Sequence, residues 1–149
     1  MDSGVPNTEF ELYGKKFATP IMTAALSHLG TFNPDLPNGM VMYGQAASMT
    51  DAVHWIGMGS DEEFEAVIRT GAPTIRIIKP YADEEKIFSM IRCAEKNGAL
   101  AVGMDIDHMF DLKGEKDICM GEEMEVKSSA DLKRYIDSTE LPFIIKGVL

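Results

Sequence analysis

Leu141-Pro142-Phe143-Ile144-Ile145-Lys146-Gly147-Val148-Leu149 closes the chain, and its reading decides the fold. It is a short, β-branched apolar run opened by a proline, the pattern of a strand buried on both faces of a parallel sheet. One cation, Lys146, stands near its end with a glycine directly after it. A lysine there is costly unless it is paired or faces a site at the strand's carboxyl end. A parallel strand normally feeds a crossover helix, and none follows, so the pattern predicts an interrupted alternation of strands and helices.

Working backwards, the same alternation recurs. A helix capped by Ser128 or Ser129 carries Leu132, Tyr135 and Ile136 on one face, after a polar loop from Ile106 to Lys127. Ala99 to Asp105 reads as a strand. The preceding helix is capped by Asp83, holds Ile87, Met90, Ile91 and Ala94 at helical spacing, and stops at Gly98. Thr74 to Lys79 is a strand ended by Pro80. Ser60-Asp61-Glu62-Glu63 has the form of a capping box for a helix that closes at Gly71. Ala52 to Gly57 is a strand, Asn38 to Thr50 a helix capped by Asn38, and Pro20 to Ala25 a first buried strand. Phe10 to Lys16 suits a small hairpin. Strict β-α alternation predicts a parallel sheet with helices outside it, either a complete doubly wound sheet or the first five units of a barrel. By length alone the complete small sheet is preferred.

Bulk composition narrows the function. The chain has 149 residues, 45% hydrophobic and 26% charged, as in an ordinary globular domain. A net charge of −10 argues against nucleic acid or an anionic membrane as the main partner. No apolar run is long enough to span a bilayer. Cys93 and Cys119 lack metal or redox spacing, which predicts free thiols in a reducing cytoplasm.

In either architecture, sites form at the carboxyl ends of the strands. Those positions hold Ala24, Ala25 and Leu26, then Gly57 and Met58, then Lys79 and Tyr81, then Gly103 and Asp105, and finally Lys146. Two lysines, a tyrosine, a carboxylate and small residues on one rim predict an anion or cofactor site, with Lys146 neutralising Asp105. Asp105-Ile106-Asp107-His108 supplies too few ligands in fixed geometry for a metal, so no metal is expected. His54 reads as a satisfied core histidine, His28 as a weak binding candidate, and Glu122, Glu123 and Glu125 as a solvated acidic loop.

Four of these stretches resemble successive strands of one family: Pro20-Ile21-Met22-Thr23-Ala24-Ala25, Thr74 to Tyr81, Ala101-Val102-Gly103-Met104-Asp105, and the closing run. The family is that of the FMN-dependent α-hydroxy acid dehydrogenases and oxidases, which includes lactate oxidase, glycolate oxidase and flavocytochrome lactate dehydrogenase. The resemblance implies an α/β fold of the (β/α)8 TIM-barrel type, overturning the preference from length. Residues 1–149 would be an incomplete barrel of about five units, strands 1 to 5, with strands 6 to 8 missing. It implies FMN as cofactor and an α-hydroxy acid such as lactate or glycolate as substrate. Ala24, Ala25 and Leu26 would line the flavin, with Gly57 or Met58 near its ring. Lys79 stands for a flavin-contacting glutamine and Gly103 for a flavin-contacting threonine, and Lys146 matches the lysine beside N1 and the C2 carbonyl. Tyr81 matches a substrate-binding tyrosine, and Asp105 the carboxylate behind the catalytic histidine. The family's His-Gly-Gly-Arg-like segment, which holds that histidine, and its phosphate-binding loops have no counterpart here, so the expected fragment is inactive alone. A homo-oligomer or a complementing C-terminal chain would cover its open edges. Two other readings stand beside this one: another FMN barrel such as isopentenyl diphosphate isomerase, and a non-catalytic α/β ligand-binding module.

Overall fold

The computed structural model describes residues 4, 6–30, 35, 38–107 and 109–148; the expectations that touch His108 and Leu149 lie outside them. Residues Phe10–Leu12 (β1) and Lys15–Phe17 (β2) form the expected hairpin, antiparallel about a two-residue turn in which Tyr13 and Gly14 both take positive φ. That turn matches the twist of short paired strands.

Four strands make the main sheet: His54–Ile56 (β3), Thr74–Ile78 (β4), Ala101–Asp105 (β5) and, after a second small hairpin, Phe143–Lys146 (β8). They pair in parallel in the order β3-β4-β5-β8. Helix Gly39–Met49 (α1) precedes β3, and helices Asp61–Ile68 (α2), Glu84–Lys96 (α3) and Ser129–Ile136 (α4) lie between successive strands of the sheet. Ser60 and Asp83 cap α2 and α3 through the backbone N–H of Glu63 and Lys86. Ser128 forms a full capping box with Asp131. Asn38 begins α1, but its side chain caps nothing.

The two faces of the sheet follow strand alternation. Ile56, Ile78, Val102 and Met104 pack outward against Phe64, Val67, Ile87, Met90, Ile91 and Tyr135 of the helices. Val53, Ile75, Ile77 and Ala101 point to the other face, where Phe10, Leu12 and Phe17 of the hairpin cover the amino ends of the strands. The carboxyl ends of that inner face are left to polar side chains.

Two expectations need correction. The first strand is not a regular ladder. Met22 bridges Val53 and Leu26 bridges Ile56, both in parallel, but between them Thr23 Oγ1 accepts the Trp55 N–H at 2.8 Å in place of a carbonyl. The same hydroxyl lies 3.0 Å from His54 Nδ1. A side chain has entered the ladder, and Ile21 is 72% exposed. The closing strand is not buried on both faces. β8 pairs only with β5, so Phe143 and Ile144 are half-buried and Ile145 is exposed.

The loop from Ile106 to Lys127 is also structured. Ile118–Cys119 (β6) and Glu122–Glu123 (β7) form a hairpin that straps onto the end of β4. Ala82 N–H donates to the Glu123 carbonyl, Glu125 N–H to the Pro80 carbonyl, and Met124 is fully buried beside Tyr81. Its acids are not simply solvated: Glu122 pairs with Lys86 at 2.9 Å and Glu123 with Lys116 at 2.8 Å.

Candidate cofactor site

Register builds the site. Ile77 faces Gly103, Gly103 faces Ile144, and Asp105 faces Lys146 across adjacent strands. Alternation therefore sets Lys79, Asp105 and Lys146 at one level on the inner face, one at the carboxyl end of each of three neighbouring strands. Lys79 Nζ lies 2.9 Å from Asp105 Oδ2 and Lys146 Nζ 3.1 Å from the same oxygen. Asp105 is 6% exposed. Burial alone would raise its carboxyl; hydrogen bonds with Asp107, Lys79 and Lys146 outweigh that and hold it well below the usual carboxylate range. Two ammonium groups on one carboxylate leave local positive charge, half-exposed at Lys146.

Below this cluster Gly103 has no room for a side chain. A Cβ there would collide with the Ile144 carbonyl and come within 2.9 Å of Ile144 Cβ and 3.0 Å of Ile77 Cδ1. The glycine lets β5 and β8 approach.

The segment Ala24–Ala25–Leu26 runs along the edge of β3. Ala24 N–H donates to Tyr43 Oη, Leu26 N–H to the Ala24 carbonyl, and Gly57 N–H to the Leu26 carbonyl. A side chain at Gly57 would meet the Ala25 carbonyl at 2.8 Å, which accounts for the small residue. The Ala25 amide has no bond among the described residues, and Ala24 is exposed.

Tyr81 and Met58 do not join the lysines. β4 ends at Ile78, so alternation no longer governs Tyr81, and both side chains enter the outer cluster with Phe64, Met90 and Met124. Tyr81 is 1% exposed with Lys86 Nζ 4.3 Å above its ring. Burial, then the nearby Glu122 charge, push its phenol up to about 12. Tyr81 and Met58 line a cavity of about 470 Å³ with Ser60, Lys86, Met120 and His28. His28 Nε2 is buried there without a hydrogen-bond partner among the described residues. His54 is fully buried beside Tyr43 and is only half satisfied, since its Nε2 has no hydrogen-bond partner among the described residues.

Arg76 is not among the sequence-based candidates, and Asp107 is there only as part of the rejected metal motif. Arg76, 1% exposed inside β4, faces the helices: it donates to the Met90 carbonyl, pairs with Asp61 at 2.7 Å and stacks on Phe64. Its opposite parity to Lys79 was the available signal. Asp107 sits over the end of β8, against Gly147. The glycine after Lys146 was its signal.

The arrangement suits one side of a flavin ring. A pair of fixed ammonium groups favours an aromatic system that gains negative charge on reduction. The family model described as FMN-dependent dehydrogenase matches residues 1–131. Among solved structures, a tyrosine-to-phenylalanine variant of mandelate oxidase with (S)-mandelic acid is similar at 19% identity and a TM-score of 0.80, covering 96% of this chain and 45% of that one. Mandelate oxidase with benzoyl-formic acid is similar at 20% identity and a TM-score of 0.79, again over 96% and 45%. A variant with a monooxide FMN adduct gives 20%, a TM-score of 0.78, 96% and 44%. The chain therefore spans less than half the length of these mandelate oxidases. No curated protein matches it by sequence similarity.

Proposed function

We propose, on the premise that this chain belongs to the FMN-dependent dehydrogenase family, that it forms the flavin-ring half of an oxidoreductase acting on the CH–OH group of an α-hydroxy acid. The observation that carries the reading is the meeting of Lys79 and Lys146 on Asp105 at one level of the inner face. FMN, when bound, supplies the two-electron acceptor. Lys146 and Lys79 place positive charge where negative charge develops on the reduced ring, and Asp105 keeps both ammonium groups in position. Ala24, Ala25 and Leu26 offer backbone to the ring, with Gly57 and Gly103 keeping the wall low and Met58 packed behind it. Asp105, as a carboxylate, would orient an imidazole and raise its basicity. Tyr81 would reach a substrate carboxylate only by leaving the outer cluster, which requires the 118–123 hairpin to lift.

The substrate is an α-hydroxy acid, lactate and glycolate being the small candidates; the mandelate oxidase neighbours widen the set to mandelate. The chain corresponds to strands 1 to 5 of the barrel and works with a chain or copy that covers β8. Ile145 and Val148 on that edge, and Ile21 on the opposite one, are exposed apolar side chains that such a partner would bury. Among the described residues no helix is long and apolar enough to cross a membrane; the cytoplasm remains the proposed location.

The test is anaerobic bleaching of added FMN by lactate, glycolate or mandelate. The proposal expects none with the purified chain and bleaching once a chain carrying the remaining units is supplied. Turnover by the purified chain alone refutes the fragment reading, and no bleaching with the complement present refutes the α-hydroxy acid reading.

A further inference from the structure

Asp105 uses its two oxygens unequally. Oδ2 takes both lysines, whereas Oδ1 is buried with no hydrogen-bond donor among the described residues. The neighbouring backbone does not serve it, because the Ile106 N–H is spent on the Lys146 carbonyl at 2.9 Å. Among the described residues, Asp107 is the side chain besides the lysines that lies within hydrogen-bonding reach of Asp105. It is held there by shape. Gly147 takes φ +84°, and a Cβ on it would meet Asp107 Cγ at 2.5 Å and Oδ2 at 2.8 Å, so only glycine leaves room for this carboxyl over the end of β8. Lys146 Nζ stands 4.0 Å from Asp107 Oδ2. Two carboxylates in contact do not both ionise readily.

We propose that Asp105 and Asp107 are an acid pair holding one proton, carried on Asp107 and donated to Asp105, so that Lys79, Lys146 and the pair together carry one net positive charge. Among the described residues, the charged groups facing Asp107 are Asp105 from β5, Lys146 from β8 and Lys79, just past the end of β4. Its carboxyl is raised above the usual range, first by the hydrogen bond to Asp105, then by burial and the Asp105 charge, with the two lysines opposing. As pH rises through the Asp107 midpoint the proton passes to solvent, the net charge falls to zero, and Lys146 is shared between two carboxylates. Asp107 is thus a positioning residue that acts through Lys146 and Asp105. Its effect on the cofactor rests on the flavin reading above: the cluster attracts the reduced, anionic ring more strongly below that midpoint than above it.

Carboxyl-carbon NMR titration of the whole chain tests the acid pair without any cofactor. The Asp107 midpoint is expected above that of an ordinary aspartate. D105N removes the acceptor charge and lowers the Asp107 midpoint. K146M, at a half-exposed position, removes an opposing cation and raises Asp107 further. An ordinary Asp107 midpoint in the unaltered chain, one that D105N does not lower, or no response to K146M overturns the proposal. The cofactor consequence is read with riboflavin, which lacks a titrating phosphate. Above the Asp107 midpoint, D107N is expected to bind reduced riboflavin roughly three- to tenfold tighter than the unaltered chain, the effect of one nearby unit charge, and equally well below it. A constant ratio across pH refutes the link to Lys146. If riboflavin binds neither protein at any pH, the flavin reading fails while the carboxyl titration still decides the acid pair.

Discussion

Acidification from pH 7 to 4 charges His54, and the structure sets what that costs. The imidazole is fully buried against Tyr43, and its one hydrogen bond among the described residues, at Nδ1, is with Thr23 Oγ1. Because that hydroxyl already accepts the Trp55 N–H, its own proton is free to be donated to Nδ1, which places the ring proton on Nε2. Burial lowers His54 from 6.5 to about 4. A histidine with a depressed folded value binds its proton more readily when unfolded, so stability is complete above the unfolded value and drains away as pH falls towards the folded one. At about 1.4 kcal/mol per unit, the drop from 6.5 to about 4 amounts to about 3 kcal/mol lost by pH 4. Asp107 and Glu63, both raised, act with the opposite sign, losing their contribution as pH rises through their own elevated range. A second variant therefore isolates the histidine. Urea unfolding at steps between pH 7 and 4, followed by the fluorescence of the chain's one tryptophan, Trp55, should show the unaltered chain losing about 3 kcal/mol more than H54F. The consequence reaches the site, because Thr23 also anchors the Ala24–Leu26 segment to β3. Equal losses in the two proteins refute the reasoning.

Other perturbations read the packing directly. G103A forces a methyl against the Ile144 carbonyl and Ile77, and should cost about 1–3 kcal/mol in urea midpoint while moving β8 away from β5. R76A leaves Asp61 without its cation, strips Phe64 of its stacked guanidinium and opens the α2–α3 layer; about 3 kcal/mol is expected, with Lys79 and Lys146 unmoved in NMR spectra. S128A deletes the box that starts α4 and should cost about 1 kcal/mol.

What the sequence disclosed was local and periodic. Ser60, Asp83 and Ser128 announce their helices because a capping hydroxyl or carboxylate needs only the amide three residues on. Strand alternation likewise carried Lys79, Asp105 and Lys146 to one rim, since parallel register leaves little choice. Three things were hidden because they depend on contacts distant in sequence. Thr23 replaces a backbone acceptor in its strand, which no propensity signals. Tyr81 left the inner face once Pro80 ended the strand, and the β6–β7 hairpin, turning at Met120-Gly121 where both residues take positive φ, then covered it. Asp107 became part of the site only through Gly147, forty residues later in the chain. The family resemblance, by contrast, rests on the strand sequences themselves, and the match over residues 1–131 bears it out.

The central claim is that this chain presents a formed flavin-ring site. FMN titration of the purified chain, read by quenching of flavin fluorescence, tests it most directly. Saturable binding that K146A weakens by about tenfold, the loss of one close cationic partner, is the predicted result. Absence of saturable binding, or binding indifferent to K146A, contradicts it.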